Sequence, residues 1–163
     1  MDIPVYLFAG FLDSGKTNFI NGILADGFAA EDRTLLIRCE QGEEDYEPGL
    51  LRNVTVVDVE EEADLKMSLL KALEKQHRPA QVLIEYNGMW PLPRLEQEVL
   101  PSNWVLYQIM TMVEASTFDM YARNMGQLMM EKLISAAMIV FNRCDETSRA
   151  ALRRRNLRMV NRR

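Results

Sequence analysis

A lysine and a hydroxyl residue at the end of a glycine-spaced loop carry the densest chemistry in this 163-residue chain. Gly10 closes the apolar run Val5 to Ala9, and Gly15-Lys16-Thr17 completes the spacing G-x-x-x-x-G-K-[ST]. Glycines let such a loop turn tightly. Its N–H groups then converge on phosphate oxygens, and the following helix adds its positive N-terminal end. Lys16 is expected to bridge the β- and γ-phosphates of a nucleotide and the Thr17 hydroxyl to sit on Mg²⁺. Gly10, Asp13, Ser14, Gly15 and Asn18 belong to the same cradle.

Three more groups have the chemistry to serve a bound polyphosphate. Glu85 ends the apolar run that begins at Gln81, where a carboxylate beside a phosphate loop can hold Mg²⁺ through a water. Gly88, three residues on, lets a backbone N–H approach the γ-phosphate closely. The competing reading is a solvated glutamate at a strand end and an ordinary turn glycine. Glu40 and Glu43 lie in Cys39-Glu40-Gln41-Gly42-Glu43-Glu44-Asp45, either as carboxylates that orient an attacking water or as part of an acidic solvated loop. Asn142 and Asp145 form N-x-x-D. An aspartate there accepts hydrogen bonds from the N1–H and exocyclic amine of guanine, a donor pair that adenine lacks. Arg143, between them, can stack on an aromatic plane.

These residues need elements to position them. Residues 3–9 read as a fully buried strand, and a helix from about Lys16 carries Phe19, Ile20, Ile23 and Leu24 on one face before stopping near Asp26-Gly27. Further strands are expected at Thr34 to Ile37, Val54 to Val59, Gln81 to Glu85, Trp104 to Val113 and Met138 to Phe141. A helix from about Ala63 to Gln76 follows the acidic run Glu60 to Glu62, which would suit its positive end. Tyr86 to Arg94 reads as a loop and Glu96 to Leu100 as a short helix. Ser116 to Ser135 reads as a methionine-rich helix weakened near Gly126, with Met120, Met125, Met129 and Met130 as core. A last helix, about Glu146 to Asn156, and the beginning of a strand at Leu157 to Val160 complete the reading. Strands alternating with helices predict a doubly wound α/β domain, a mainly parallel sheet with helices on both faces. Its C-terminal edge would gather the segments after Gly10, Cys39, Glu85 and Asn142.

Length and composition suit one domain over residues 1–163, with 48% hydrophobic and 26% charged residues. A formal charge of −5 and a pI of about 5.0 argue against a nucleic-acid partner. The arginine cluster of 149–163 reads as the surface of the final helix. No apolar stretch reaches the ~18 residues that span a bilayer, so no membrane partner is expected. Asp2 and the immediate phosphate loop are unlike a secretory leader, and Cys39 and Cys144 lie too far apart in sequence to suggest a disulfide framework. A cytoplasmic setting is the expectation.

The motifs taken together carry a resemblance. GFLDSGKTN resembles the G-F-L-G-x-G-K-T-T loop of the CobW/HypB/UreG group of P-loop GTPases, particularly its CobW-like branch. CEQGE at 39–43 is similar to that branch's N-E-x-G-E, EYNG at 85–88 to its E-x-x-G, VEA at 113–115 to its V-D-A, and NRCD at 142–145 to its N-K-x-D. The resemblance spans essentially the whole chain. It implies GTP and GDP as ligands, Mg²⁺, slow hydrolysis, a protein partner, and pairing of two copies across the nucleotide.

Three departures temper what is inherited. The branch's C-x-C-C, a soft-metal site, is absent from the corresponding RNVTVVDVEEEAD, so no bound transition metal is expected and metal delivery is not implied. Asp13 replaces a small neutral residue and places a carboxylate near the polyphosphate. The chain ends in MVNRR, where relatives carry N-P-x-A and a further domain. Asn161 matches that asparagine and Arg162 replaces the proline, which reads as a domain truncated at its C-terminal end.

Overall fold

The computed structural model describes residues 2–145 and 150. The expected final helix and partial strand, with the arginine cluster and Asn161, lie outside the described residues. The six expected strands form as β1 (Ile3–Ala9), β2 (Thr34–Arg38), β3 (Val54–Asp58), β4 (Gln81–Glu85), β5 (Trp104–Glu114) and β6 (Met138–Asn142). They make one sheet in the order β3-β2-β4-β1-β5-β6, every pairing parallel.

Apolar residues on both faces of the central strands explain the two-sided architecture. Val5 and Leu7 of β1, Leu35 and Ile37 of β2, and Val82 and Ile84 of β4 pack on one face. There they meet Leu70 and Leu73 of α2 (Met67–His77) and Leu92, beginning α3 (Leu92–Arg94). Phe8, Leu36 and Leu83 point the other way, against Ile20 and Leu24 of α1 (Lys16–Ala25). Most of these side chains are fully excluded from solvent, each contributing about 1.5–3 kcal/mol of transfer free energy. The fold is therefore the predicted α/β one, with helices on both faces.

Helix boundaries follow local chemistry in some places and distant partners in others. α1 ends where Gly27 takes φ 90, its N–H bonding to Leu24 and that of Phe28 to Ile23. α2 begins at Met67, not near Ala63. Arg94 holds the carbonyls of Glu62 and Leu65, and the fully buried Leu65 anchors that stretch as a loop, so the acids at 60–62 precede the helix without entering its first turn. The helical stretch expected at 96–100 starts earlier, at Leu92 behind Pro91, and runs into a π-turn over Leu95–Val99. The methionine-rich segment breaks at Met125 into α4 (Phe118–Asn124) and α5 (Gly126–Ser135). Met129 is core and Met125 packs against it. Met120 and Met130 are exposed, which corrects the expectation that all four are buried.

Register fixes the functional edge. Phe8 lies opposite Glu85, Arg38 opposite both Glu85 and Asp58, and Glu114 opposite Asn142. The strand ends that deliver Gly10, Glu40, Glu85, Glu114 and Asn142 consequently share one rim. His77, at the end of α2 just before β4 begins, belongs to the opposite rim.

Candidate functional site

The loop between β1 and α1 takes the backbone that its glycines permit. Gly10 has φ 138 and Gly15 has φ 97. A Cβ on Gly10 would lie 2.3 Å from the Met112 carbonyl oxygen, and one on Gly15 would lie 2.2 Å from Asn142 Nδ2, so the first position presses on β5 and the second on the residue ending β6. Asn142 also donates to the Ser14 carbonyl at 3.4 Å. Asp13 sits in the left-handed region at φ 57, which explains why glycine suits this position in the resembling loops and why aspartate is tolerated. Its carboxylate lies against Gly42, where a Cβ would come within 2.7 Å of Oδ1.

Lys16 is buried, and its ammonium donates to the carbonyls of Gly10 and Phe11 at 2.9 Å each and to Glu40 Oε2 at 2.6 Å. The other oxygen of Glu40 accepts a 3.4 Å bond from the Gly88 N–H. A Cβ on Gly88 would fall 2.6 Å from both the Gly10 oxygen and Phe11 Cα, so this turn touches the loop backbone to backbone. Thr17 donates its hydroxyl to Glu85 Oε1 at 2.8 Å, and Tyr46 donates its own to Glu85 Oε2. Glu85 is 2% exposed. Burial pushes its carboxyl above the usual range, against the opposing effects of the two hydroxyls and the Lys16 charge.

Tyr46 carries no motif, and only its position in the fold reveals it. Asn21 of α1 donates to the Asp45 carbonyl and accepts from the Glu47 N–H, while the Arg38 guanidinium bonds Asp45 and Asp58 and lies 5.6 Å from the centre of the Tyr46 ring. These ties draw an acidic surface loop onto the buried carboxylate. A second residue outside the motifs is Lys132 of α5, 1% exposed, whose ammonium donates to the Trp90 carbonyl behind the Gly88 turn. Burial pushes it down to about 8, with Glu131 acting in the opposite direction.

One cleft of about 300 Å³ joins these groups. Asp13, Gly15, Lys16, Thr17, Asn18, Glu40, Glu43, Glu85 and Arg143 line it, together with Glu44 and Glu114, which the motif reading did not single out as site residues. Gly88 adjoins through its bond to Glu40, and Ser14 is buried behind the loop with a hydroxyl that lacks a partner among the described residues. Arg143 reaches Glu114 at 3.3 Å, and Asp145 is exposed just beyond. Six carboxylates face two cations across this cleft, so a polyphosphate entering it needs a further positive charge.

The donor set fits Mg²⁺ as that charge. Glu85 is a buried carboxylate that bonds hydroxyl groups, and Thr17 and Glu85 are hard oxygen donors that leave coordination positions for phosphate oxygens and water. Among the described residues no three of His, Cys, Asp and Glu cluster as ligands for a metal ion. Cys39 is buried, and burial together with nearby Glu85 pushes its thiol well above the ordinary range. No helix among the described residues is long and apolar enough to cross a membrane.

A search of curated proteins finds no match to the chain. The family model described as CobW/HypB/UreG, nucleotide-binding domain, matches residues 4–163, so this chain belongs to the CobW/HypB/UreG family of P-loop GTPases through its nucleotide-binding domain.

Proposed function

We propose that this chain binds GTP together with Mg²⁺ and hydrolyses it slowly, using loss of the γ-phosphate as a conformational signal to a protein partner. The observation that carries the reading is the convergence of Lys16, Thr17 and Glu85 on one cleft, which the Gly88 N–H adjoins through Glu40. Lys16 and the loop amides stabilise negative charge on the β- and γ-phosphates, and Thr17 and Glu85 hold the metal. Mg²⁺ held there would supply the positive charge that the phosphate oxygens require in this acidic cleft. Glu40 and Glu43 orient the attacking water, Asp145 reads the guanine edge, and Asn142 ties the base-reading segment to the phosphate loop. A nucleotide switch of this kind acts through a partner, a second copy of the chain or a further domain. Its setting in this proposal is the cytoplasm.

Steady-state phosphate release with GTP and with ATP in the presence of Mg²⁺ tests the reading. GTP should be turned over and ATP much less; equal or greater use of ATP removes the base-reading role of Asp145.

A second reading, a nucleotide sensor that does not hydrolyse, draws on one specific observation. Asp13 faces the cleft from a left-handed backbone position and adds a carboxylate beside the polyphosphate path. Asp13→Gly relieves both the backbone strain and the charge. A large rise in GTP affinity or turnover favours the damped sensor, and unchanged behaviour favours the GTPase.

A further inference from the structure

The ammonium of a lysine has three donors, and Lys16 commits all of them: two to the loop carbonyls of Gly10 and Phe11, and the third to Glu40. The carbonyls belong to the same rigid turn as Lys16. Glu40 comes from another segment, after β2, and the one carboxylate that reaches Lys16 at 2.6 Å also takes the Gly88 N–H at 3.4 Å. In the proposed function these two donors, the Lys16 ammonium and the Gly88 amide, are the ones that face a γ-phosphate. A carboxylate and a terminal phosphoryl group both present oxygen anions to such donors, and the two cannot occupy one position.

We infer that Glu40 is a tethered stand-in for the γ-phosphate, occupying its place between Lys16 and Gly88 until a nucleoside triphosphate expels it. The inference rests on the proposed GTP reading and deepens it by naming the residue that separates triphosphate from diphosphate. A diphosphate, held by the backbone amides of the loop, leaves Glu40 on Lys16 and Gly88. A triphosphate supplies its own oxygens to Lys16 and Gly88 and releases Glu40.

The surrounding segment is suited to that exchange. Its two ends are held: the Cys39 N–H bonds the Glu85 carbonyl, Asn87 bonds the Cys39 carbonyl, and Asn21 grips the backbone at Asp45 and Glu47. Residues 40–44 between these anchors belong to no helix or strand. Displacement of Glu40 therefore moves the intervening loop while its ends stay fixed, and the loop conformation reports which nucleotide is bound. The same displacement frees the carboxylate to face the water that attacks the γ-phosphate.

The test measures equilibrium binding of GDP and of the β,γ-imido analogue of GTP, both with Mg²⁺, to the wild type and to Glu40→Gln. Glu40→Gln keeps the side-chain shape and removes the competing charge. Affinity for the analogue should rise about 5- to 150-fold, the ordinary range of a coupling between sites, and affinity for GDP by a clearly smaller factor. Glu40→Ala, which removes the group altogether, should move the ratio in the same direction. Glu44→Gln takes the same charge from the same cleft, at a residue with no assigned part in the chemistry, and should shift both ligands alike. Equal factors for the two ligands in Glu40→Gln, or the same change of ratio in Glu44→Gln, overturn the inference and leave GTP binding standing. A wild type that binds neither ligand overturns the proposed function itself, and the inference with it.

Discussion

Replacing Tyr46 with phenylalanine isolates one hydrogen bond on which the site's geometry depends. The ring is 6% exposed and packs in the cluster with Phe8, Ile20 and Leu36, so phenylalanine retains its apolar burial. What disappears is the hydroxyl that donates to Glu85 Oε2, inside a site where the carboxylate is 2% exposed. Burial and the adjacent carboxylate push the Tyr46 phenol far up, which keeps it a donor throughout the ordinary pH range. Leaving a buried acceptor unpaired costs about 1–3 kcal/mol, more when the acceptor is charged. Thr17 still serves the other oxygen, and Asn21 still holds the loop, so the fold should survive. Each kcal/mol moves the melting temperature by about 2–4 °C in a domain of this size. Urea unfolding of wild type, Tyr46→Phe and Tyr46→Ala separates the hydroxyl from the ring, since losing the ring costs about 3–5 kcal/mol. A Tyr46→Phe variant within about 0.5 kcal/mol of the wild type, the ordinary scatter of surface substitutions, refutes the argument that this bond supports Glu85.

Two other perturbations follow from the same packing. Gly88→Ala sets a Cβ against backbone atoms of Gly10 and Phe11 that cannot swing away; it should lose about 1–3 kcal/mol and weaken GTP binding, and a melt at the wild-type temperature would contradict the close approach. Lys132 titrates near 8 when folded and near 10.5 when unfolded, among the charges of Glu131, Lys16 and Glu40. Below pH 8 both states are protonated and the fold carries the burial penalty in full. Between about 8 and 10.5 only the unfolded chain binds the proton, so stability rises with pH across that window by up to about 3 kcal/mol. Lys132→Met lacks this rise, so its stability relative to wild type should be greatest at pH 7 and decline by pH 10; parallel curves would show that Lys132 is not held in a charge-disfavouring site.

The strands were legible because a parallel sheet covered on both faces demands apolar runs, and Val5 to Ala9, Leu35 to Ile37 and Val82 to Ile84 are such runs. The phosphate loop was legible because its glycines answer backbone requirements that no other residue meets cheaply, visible at Gly10 and Gly15. The start of α2 was not legible, because Arg94, some thirty residues away in sequence, decides that residues 62–65 stay a loop. Tyr46 belongs to no motif, and its role depends on Asn21 and Arg38 drawing the acidic loop inward. Lys132 belongs to no motif; its burial depends on how α5 packs over β5, where Thr111 bonds the Lys132 carbonyl. Glu40 reads in the sequence as either a water-orienting carboxylate or part of a solvated acidic loop; its bond to Lys16 joins elements that only the sheet order β2-β4-β1 brings together.

The central claim is that this cleft takes GTP through Lys16. Calorimetric titration of GTP, with Mg²⁺ present, into the wild type and into Lys16→Ala addresses it without reliance on turnover. The account predicts one saturable site in the wild type, weaker binding of ATP, and loss of GTP binding in a Lys16→Ala variant that remains folded. Undiminished GTP binding by that variant, or no binding by the wild type, would contradict it.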